Sequence, residues 1–162
     1  MGAAKPKCRV GLMGLGQIGR QIYRLAAETA DLEIVAVADI GRPEVLQYVA
    51  PGEVPWDAFG VDCVIDATGR YRARKHAELQ LAAGGQRVVY ATLAEAPDRL
   101  LVPGLNEGEA VAADRVVSAG SPTTNALALL LDALDRGTGV EYATMTSIHA
   151  YTSDQPLQDY AQ

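Results

Sequence analysis

The run Val10-Gly11-Leu12-Met13-Gly14-Leu15-Gly16-Gln17-Ile18-Gly19-Arg20 restricts the fold more than any other part of the chain. An apolar stretch, Val10 to Met13, enters a turn with glycines at 14, 16 and 19. It leaves on a helical pattern, with Ile18, Ile22, Leu25 and Thr29 on one stripe. The order is strand, tight turn, helix. Gly14 permits the turn, Gly16 lets the backbone approach a pyrophosphate, and Gly19 lets the helix pack on the strand. The helix start, with Gln17 and Ile18, presents unpaired N–H groups and the positive end of its dipole to such an anion.

Glycine-rich turns also join strands to helices with no ligand involved, so the motif needs support. It comes from Asp39, which closes a second apolar run, Leu32 to Ala38, twenty residues beyond Gly19. From that position a carboxylate takes the adenosine ribose hydroxyls of a dinucleotide. It would repel a 2′-phosphate, so NAD is favoured over NADP. Arg42, three residues on, is the feature that favours NADP instead.

The 162 residues fit one full domain, or one domain and a piece of another. A 49% hydrophobic content suffices for a core. The net charge of −6, with no run of Lys or Arg, argues against nucleic acid and anionic membrane as partners. No apolar run approaches transmembrane length, and Met1 to Pro6 lacks both a secretory apolar stretch and a myristoylation signal. Cys8 and Cys63, far apart and each in an apolar strand-like run, read as buried free thiols rather than a disulfide or metal site. A reducing cytoplasm is the expected compartment.

Further along, a short amphipathic piece, Glu44 to Val49, precedes a breaker-rich stretch and the single tryptophan, Trp56. Val61 to Asp66 is a third strand, apolar enough for burial on both faces. Its exit, Ala67-Thr68-Gly69-Arg70, falls on the rim where doubly wound sheets bind ligands, so Thr68 and Gly69 join the candidate cofactor residues; a plain strand-to-helix turn is the alternative. Arg72 to Ala83 is a helix stopped by Gly84-Gly85, and strands follow over Gln86–Ala91, Leu100–Val102 and Val116–Ala119. Alternating strands and helices imply a Rossmann-type, doubly wound, mostly parallel α/β sheet. Ser121-Pro122-Thr123-Thr124-Asn125 then opens a helix over Ala126 to Leu134, apolar nearly all round and so expected to be buried. Glu141 to His149 alternates as a strand.

The segments Val10-Gly11 with Gly14 to Arg20, Asp31 to Asp39, Gly60 to Arg70, Val102 to Asn106, Val117 to Asn125 and Ser147 to Gln155 together resemble the phosphorylating glyceraldehyde-3-phosphate dehydrogenases. The resemblance implies an NAD-binding domain over 1–119 and the truncated beginning of a catalytic domain over 120–162. In that family a Ser-Cys-Thr-Thr-Asn motif opens a long helix, and its cysteine attacks the aldehyde and later leaves from a thioester. Here Pro122 stands at the nucleophile's place. His149 matches the family's catalytic histidine and, without its partner, reads as a leftover or as a group with another acid/base task. Ser121 and Thr123 match positions that hold inorganic phosphate, and Thr152 and Asp154 match the substrate-phosphate side. Ser121 and Thr123 also serve as plain helix caps. Met13 replaces the family's asparagine, Gln17 replaces an arginine near the pyrophosphate, and the stretch between Asp39 and Trp56 is shorter than in the family.

Three functions are consistent with these residues. The leading expectation is an NAD-binding relative without the thiol chemistry, a pseudoenzyme. The second is an oxidoreductase that works on an aldehyde or oxo group without a thioester, or with a partner chain. The third is an interaction module without cofactor, using the 141–149 strand to pair with a second copy or another polypeptide.

Overall fold

The computed structural model describes residues 6–39 and 50–150. Arg42, the piece from Glu44 to Val49, Thr152 and Asp154 lie outside the described residues. Six strands form one sheet: β1 (Cys8–Met13), β2 (Leu32–Ala38), β3 (Cys63–Asp66), β4 (Arg87–Tyr90), β5 (Arg99–Leu100) and β6 (Val116–Ser118). The helices are α1 (Gln17–Glu28), α2 (Arg74–Ala82) and α3 (Pro122–Thr138). The spatial order is β2-β1-β3-β4-β6-β5, and every pairing is parallel. The chain moves outward from β1 to β2 and then returns past β1 to β3. The direction of winding therefore reverses between β1 and β3, where such sheets open a crevice for ligands.

Valine and isoleucine dominate the strands because branched side chains pack well on a pleated, buried surface. On one face, Gly11, Val64, Val88 and Val116 form a register row, and Met13, Asp66, Tyr90 and Ser118 form the next. All eight are buried. Gly11 leaves a gap in its row, and Trp56, fully buried in a 3₁₀ turn over Trp56–Phe59, fills it. A Cβ at position 11 would stand 2.6 Å from the indole Cζ3. Ala77 and Gln80 of α2 are buried over this same face, where the Gln80 amide bonds Asp66. On the other side, Gly19 of α1 approaches Ala67, which alternates with Asp66 across the sheet. Helices thus cover both faces, as the doubly wound reading requires.

The helix expected after the glycine turn forms, and two other expectations need correction. On α1 the buried positions are Gly19 and Ala26, while Ile18 and Leu25 of the apolar stripe are 55% and 62% exposed. The close seat of Gly19 on the strand draws the small residues inward and turns the larger ones out. On α3 no residue is buried, and Leu130 is 57% exposed, because no described element lies over its outer leucines. The expected strand over 141–149 does not form among the described residues. A strand needs a ladder partner, and none of the described strands pairs with this segment, so Tyr142 and Ile148 stand 85% and 94% exposed.

Candidate functional site

The carboxyl ends of five strands finish in one register row: Ala38, Met13, Asp66, Tyr90 and Ser118. Asp39, Gly14, the Ala67-Thr68-Gly69 turn and the Ala119-Gly120-Ser121 turn each lie just beyond a member of that row. Asp39, Gly14, Thr68, Gly69 and Ser121, all singled out along the sequence, therefore gather on one rim.

Gly14 occupies its centre. It adopts φ +95, its N–H donates to the Ala38 carbonyl at 2.7 Å, and the neighbouring Ala67 N–H donates to the Met13 carbonyl at 2.7 Å. A Cβ on Gly14 would lie 2.9 Å from the Ala67 carbonyl carbon and the Thr68 nitrogen, so only glycine fits between β2 and the turn after β3. Gly19 is equally constrained, since its Cβ would collide with the Gly14 carbonyl oxygen. Gly16, the N-cap of α1, is different: nothing lies within 4 Å of where its Cβ would be. No side chain caps α1 and its first turn holds no acidic residue, so the first N–H groups of the helix keep their capacity for an anion. The Arg20 guanidinium bonds the Leu15 carbonyl at 2.7 Å and braces the turn. Half-buried Asp39 stands beside Gly14, one residue past β2. Met13 is fully buried, so its side chain belongs to the core and not to the rim.

Thr68 and Gly69 face the glycine turn from β3. The Thr68 N–H and hydroxyl both donate to Asp66 Oδ1, at 2.9 and 2.7 Å, and Gln80 Nε2 donates to Asp66 Oδ2 at 2.9 Å. Burial pushes the Asp66 carboxyl above the ordinary carboxylate range, while the bonds from Thr68 and Gln80 oppose that shift. Sequence reasoning missed Asp66. Its signal was present, since an Asp whose carboxylate accepts the N–H two residues on is a recurrent turn device. Ser118 was missed as well: its hydroxyl donates to the Thr92 carbonyl at 2.9 Å and accepts from Ala94 and Gly120, each at 3.1 Å.

At the far side of the rim, Ser121 caps α3, accepting from the Thr124 N–H at 3.0 Å, and Pro122 takes the first helical position. The Asn125 amide donates to the carbonyls of Ala119 and Ser121 at 2.8 and 2.9 Å, which locks the turn before the helix. His149 Nε2 lies 3.5 Å from Thr123 Oγ1 and also meets the Ser147 hydroxyl. Ser121, Pro122, Thr123 and His149 thus come together at one helix start, beside a cleft of about 310 Å³ that Leu127 and Met145 help to line. No atom of Pro122 can act as a nucleophile.

Cys8 and Cys63 begin adjacent strands at the opposite end of the sheet, both free and half-buried rather than buried. Burial pushes the Cys63 thiol up to about 12. Neither stands near Pro122. No helix among the described residues is long and apolar enough to cross a membrane.

Comparison with known proteins identifies the relatives of this chain. Residues 121–162 match the family described as "Glyceraldehyde 3-phosphate dehydrogenase, C-terminal domain". The chain is 31% identical to glyceraldehyde-3-phosphate dehydrogenase of Mycoplasma pneumoniae, over 93% of the chain and 55% of that protein. It is 33% identical to the enzyme of Mycobacterium leprae, over 93% of the chain and 57% of the relative. With glyceraldehyde-3-phosphate dehydrogenase 1 of Streptomyces avermitilis the identity is 36%, over 93% and 56%. The chain therefore spans a little over half the length of these relatives. The alignments run over 186 to 192 positions, more than the 162 residues of the chain, so the relatives carry segments that this chain lacks. With the relatives matched along nearly all of its length, and with a Rossmann-type sheet beneath the matched residues, the chain belongs to the glyceraldehyde-3-phosphate dehydrogenase family.

Proposed function

We propose that the chain binds NAD on the rim between β1 and β3 and does not carry out the thioester chemistry that the family resemblance implies, which makes it a pseudoenzyme. The observation that carries this reading is a contrast on one rim. The glycine turn is tight where it packs and open where a pyrophosphate would come, while α3 begins with a proline. Gly14 and Gly19 seat the helix, and Gly16 with the N–H groups of Gln17 and Ile18 receives the pyrophosphate. Asp39 accepts the adenosine ribose hydroxyls and repels a 2′-phosphate, while Thr68 and Gly69 form the wall toward the rest of the nucleotide. When bound, NAD supplies a hydride acceptor. The chain supplies no thiolate beside it.

A second reading keeps an oxidoreductase reaction on an aldehyde or oxo group without a thioester. His149 Nε2, held near Thr123 Oγ1 at 3.5 Å, is a ring nitrogen suited to proton transfer there. The exposed leucines of α3 and the unpaired segment 141–149 support a partner contact, with a second copy or another polypeptide. The two free thiols fit a reducing, cytoplasmic compartment.

Calorimetric titration with NAD and NADP, with Asp39→Ala beside the parent, tests the binding half. Micromolar NAD binding that is lost in the variant is expected. Oxidation of glyceraldehyde-3-phosphate by the purified chain with NAD and phosphate would end the pseudoenzyme reading. NADH production across a panel of aldehydes would favour the second.

A further inference from the structure

We propose that Asp66 is the positioning residue of the cofactor rim, fixing the Thr68–Gly69 turn against Gly14 and so setting nucleotide affinity without touching the nucleotide. This rests on the NAD reading above. The Asp66 carboxylate is 1% exposed, so it offers no surface to a ligand. Both of its oxygens are engaged, Oδ1 by two donors of Thr68 and Oδ2 by Gln80. The Thr68 hydroxyl in turn accepts from the Arg70 N–H at 3.3 Å, which carries the constraint across Gly69.

The Ala67 N–H bond to the Met13 carbonyl, at 2.7 Å, holds the start of this turn to β1. Gly69 adopts φ +68, and no heavy atom lies within 4 Å of where its Cβ would be. Toward Gly69 the turn is held by the bonds that join Asp66, Thr68 and the Arg70 N–H. The setting matters because Thr68 and Gly14 are in contact range: the Thr68 nitrogen is 2.9 Å from the site of a Gly14 Cβ. A turn released from Asp66 would shift against the glycine turn and misplace the wall that faces a dinucleotide. An asparagine at 66 would keep an oxygen toward Thr68. Its amide would then meet Gln80 Oε1, which has no hydrogen-bond partner, after rotation of the Gln80 amide.

The test is calorimetric titration with NAD, well below the melting temperature of each folded variant. Asp66→Ala is expected to weaken NAD by about tenfold or more, and Asp66→Asn to stay within about threefold of the parent, because only the first removes the acceptor from Thr68. Thr68→Val, which keeps Asp66 and removes one donor, is expected to weaken NAD, with Thr68→Ser restoring it; this pair carries the test if Asp66→Ala fails to fold. Val88→Ala, a core truncation away from the turn, is expected to lower the melting temperature and hold affinity within about threefold.

Affinity unchanged in both Asp66→Ala and Thr68→Val overturns the proposal. So does an Asp66→Asn variant as weak as Asp66→Ala, or a Val88→Ala variant that loses affinity in step with them. If the parent itself binds no NAD, the cofactor reading falls and this inference with it.

Discussion

A Cβ on Gly19 would run into the carbonyl oxygen of Gly14, so there is no room for a side chain between the first turn of α1 and the end of β1. Gly16, three residues earlier, has open space on its side-chain face. The two glycines differ in their surroundings: Gly19 is needed for packing, and Gly16 leaves the space that the proposed nucleotide site requires.

Alanine substitution separates them. Gly19→Ala must push α1 off the strand and is expected to cost about 1–3 kcal/mol and to lose NAD binding. Gly16→Ala is expected to stay within about 0.5 kcal/mol of the parent in stability while weakening NAD. Urea denaturation and calorimetry on both variants give the comparison; equal losses of stability would contradict it.

Trp56 is fully buried over Gly11 and is the single tryptophan, so its fluorescence reports the state of this core. Trp56→Ala should cost about 3–5 kcal/mol. Gly11→Ala, whose new methyl would enter the indole ring, should cost about 1–3 kcal/mol. A Gly11→Ala protein with the parental denaturation midpoint would show that the indole has room to move.

Asp98 gives the acid limb of stability a definite sign. The Arg74 guanidinium at 2.6 Å, with the N–H groups of Val116 and Arg115 at 2.8 Å, holds its carboxyl below the usual 3.8. The stabilisation is present above the unfolded value and is lost as pH falls through the lowered folded value. Asp98→Asn should therefore flatten the decline of melting temperature below about pH 4. An unchanged slope between parent and variant would mean that Asp98 lends nothing in acid. Asp66 acts in the opposite sense, since its raised value makes ionisation unfavourable to the fold as pH climbs.

Pro122→Cys would place a thiol at the first turn of α3, near His149. A helix start lowers thiol pKa, whereas burial raises it for Cys8 and Cys63. Alkylation by iodoacetamide at neutral pH should mark position 122 at least about tenfold faster than either native cysteine, as read by peptide mass mapping. Equal labelling of all three would argue against an activating environment at that helix end.

The β1, β2 and β3 side of the fold was legible because packing selects residue types there: glycine for the crowded turn and apolar runs for the strands. Asp66 and Ser118 were not singled out, since a lone polar residue closing an apolar run looks the same whether it faces solvent or holds a turn from inside. The burial expected for α3 and the strand expected over 141–149 rested on pattern alone. Pattern tells which surfaces are apolar, and only tertiary partners decide whether those surfaces are covered.

The common row in which Ala38, Met13, Asp66, Tyr90 and Ser118 end has an evolutionary consequence. The turns we propose for the nucleotide hang from β1, β2 and β3, and the helix that begins with Pro122 hangs from β6. The turns of β1, β2 and β3 interlock, whereas β4 stands between them and β6, so the start of α3 can change without dislodging them. On the proposed reading, a lineage that discards the nucleophile still inherits a nucleotide pocket ready for recruitment to other work.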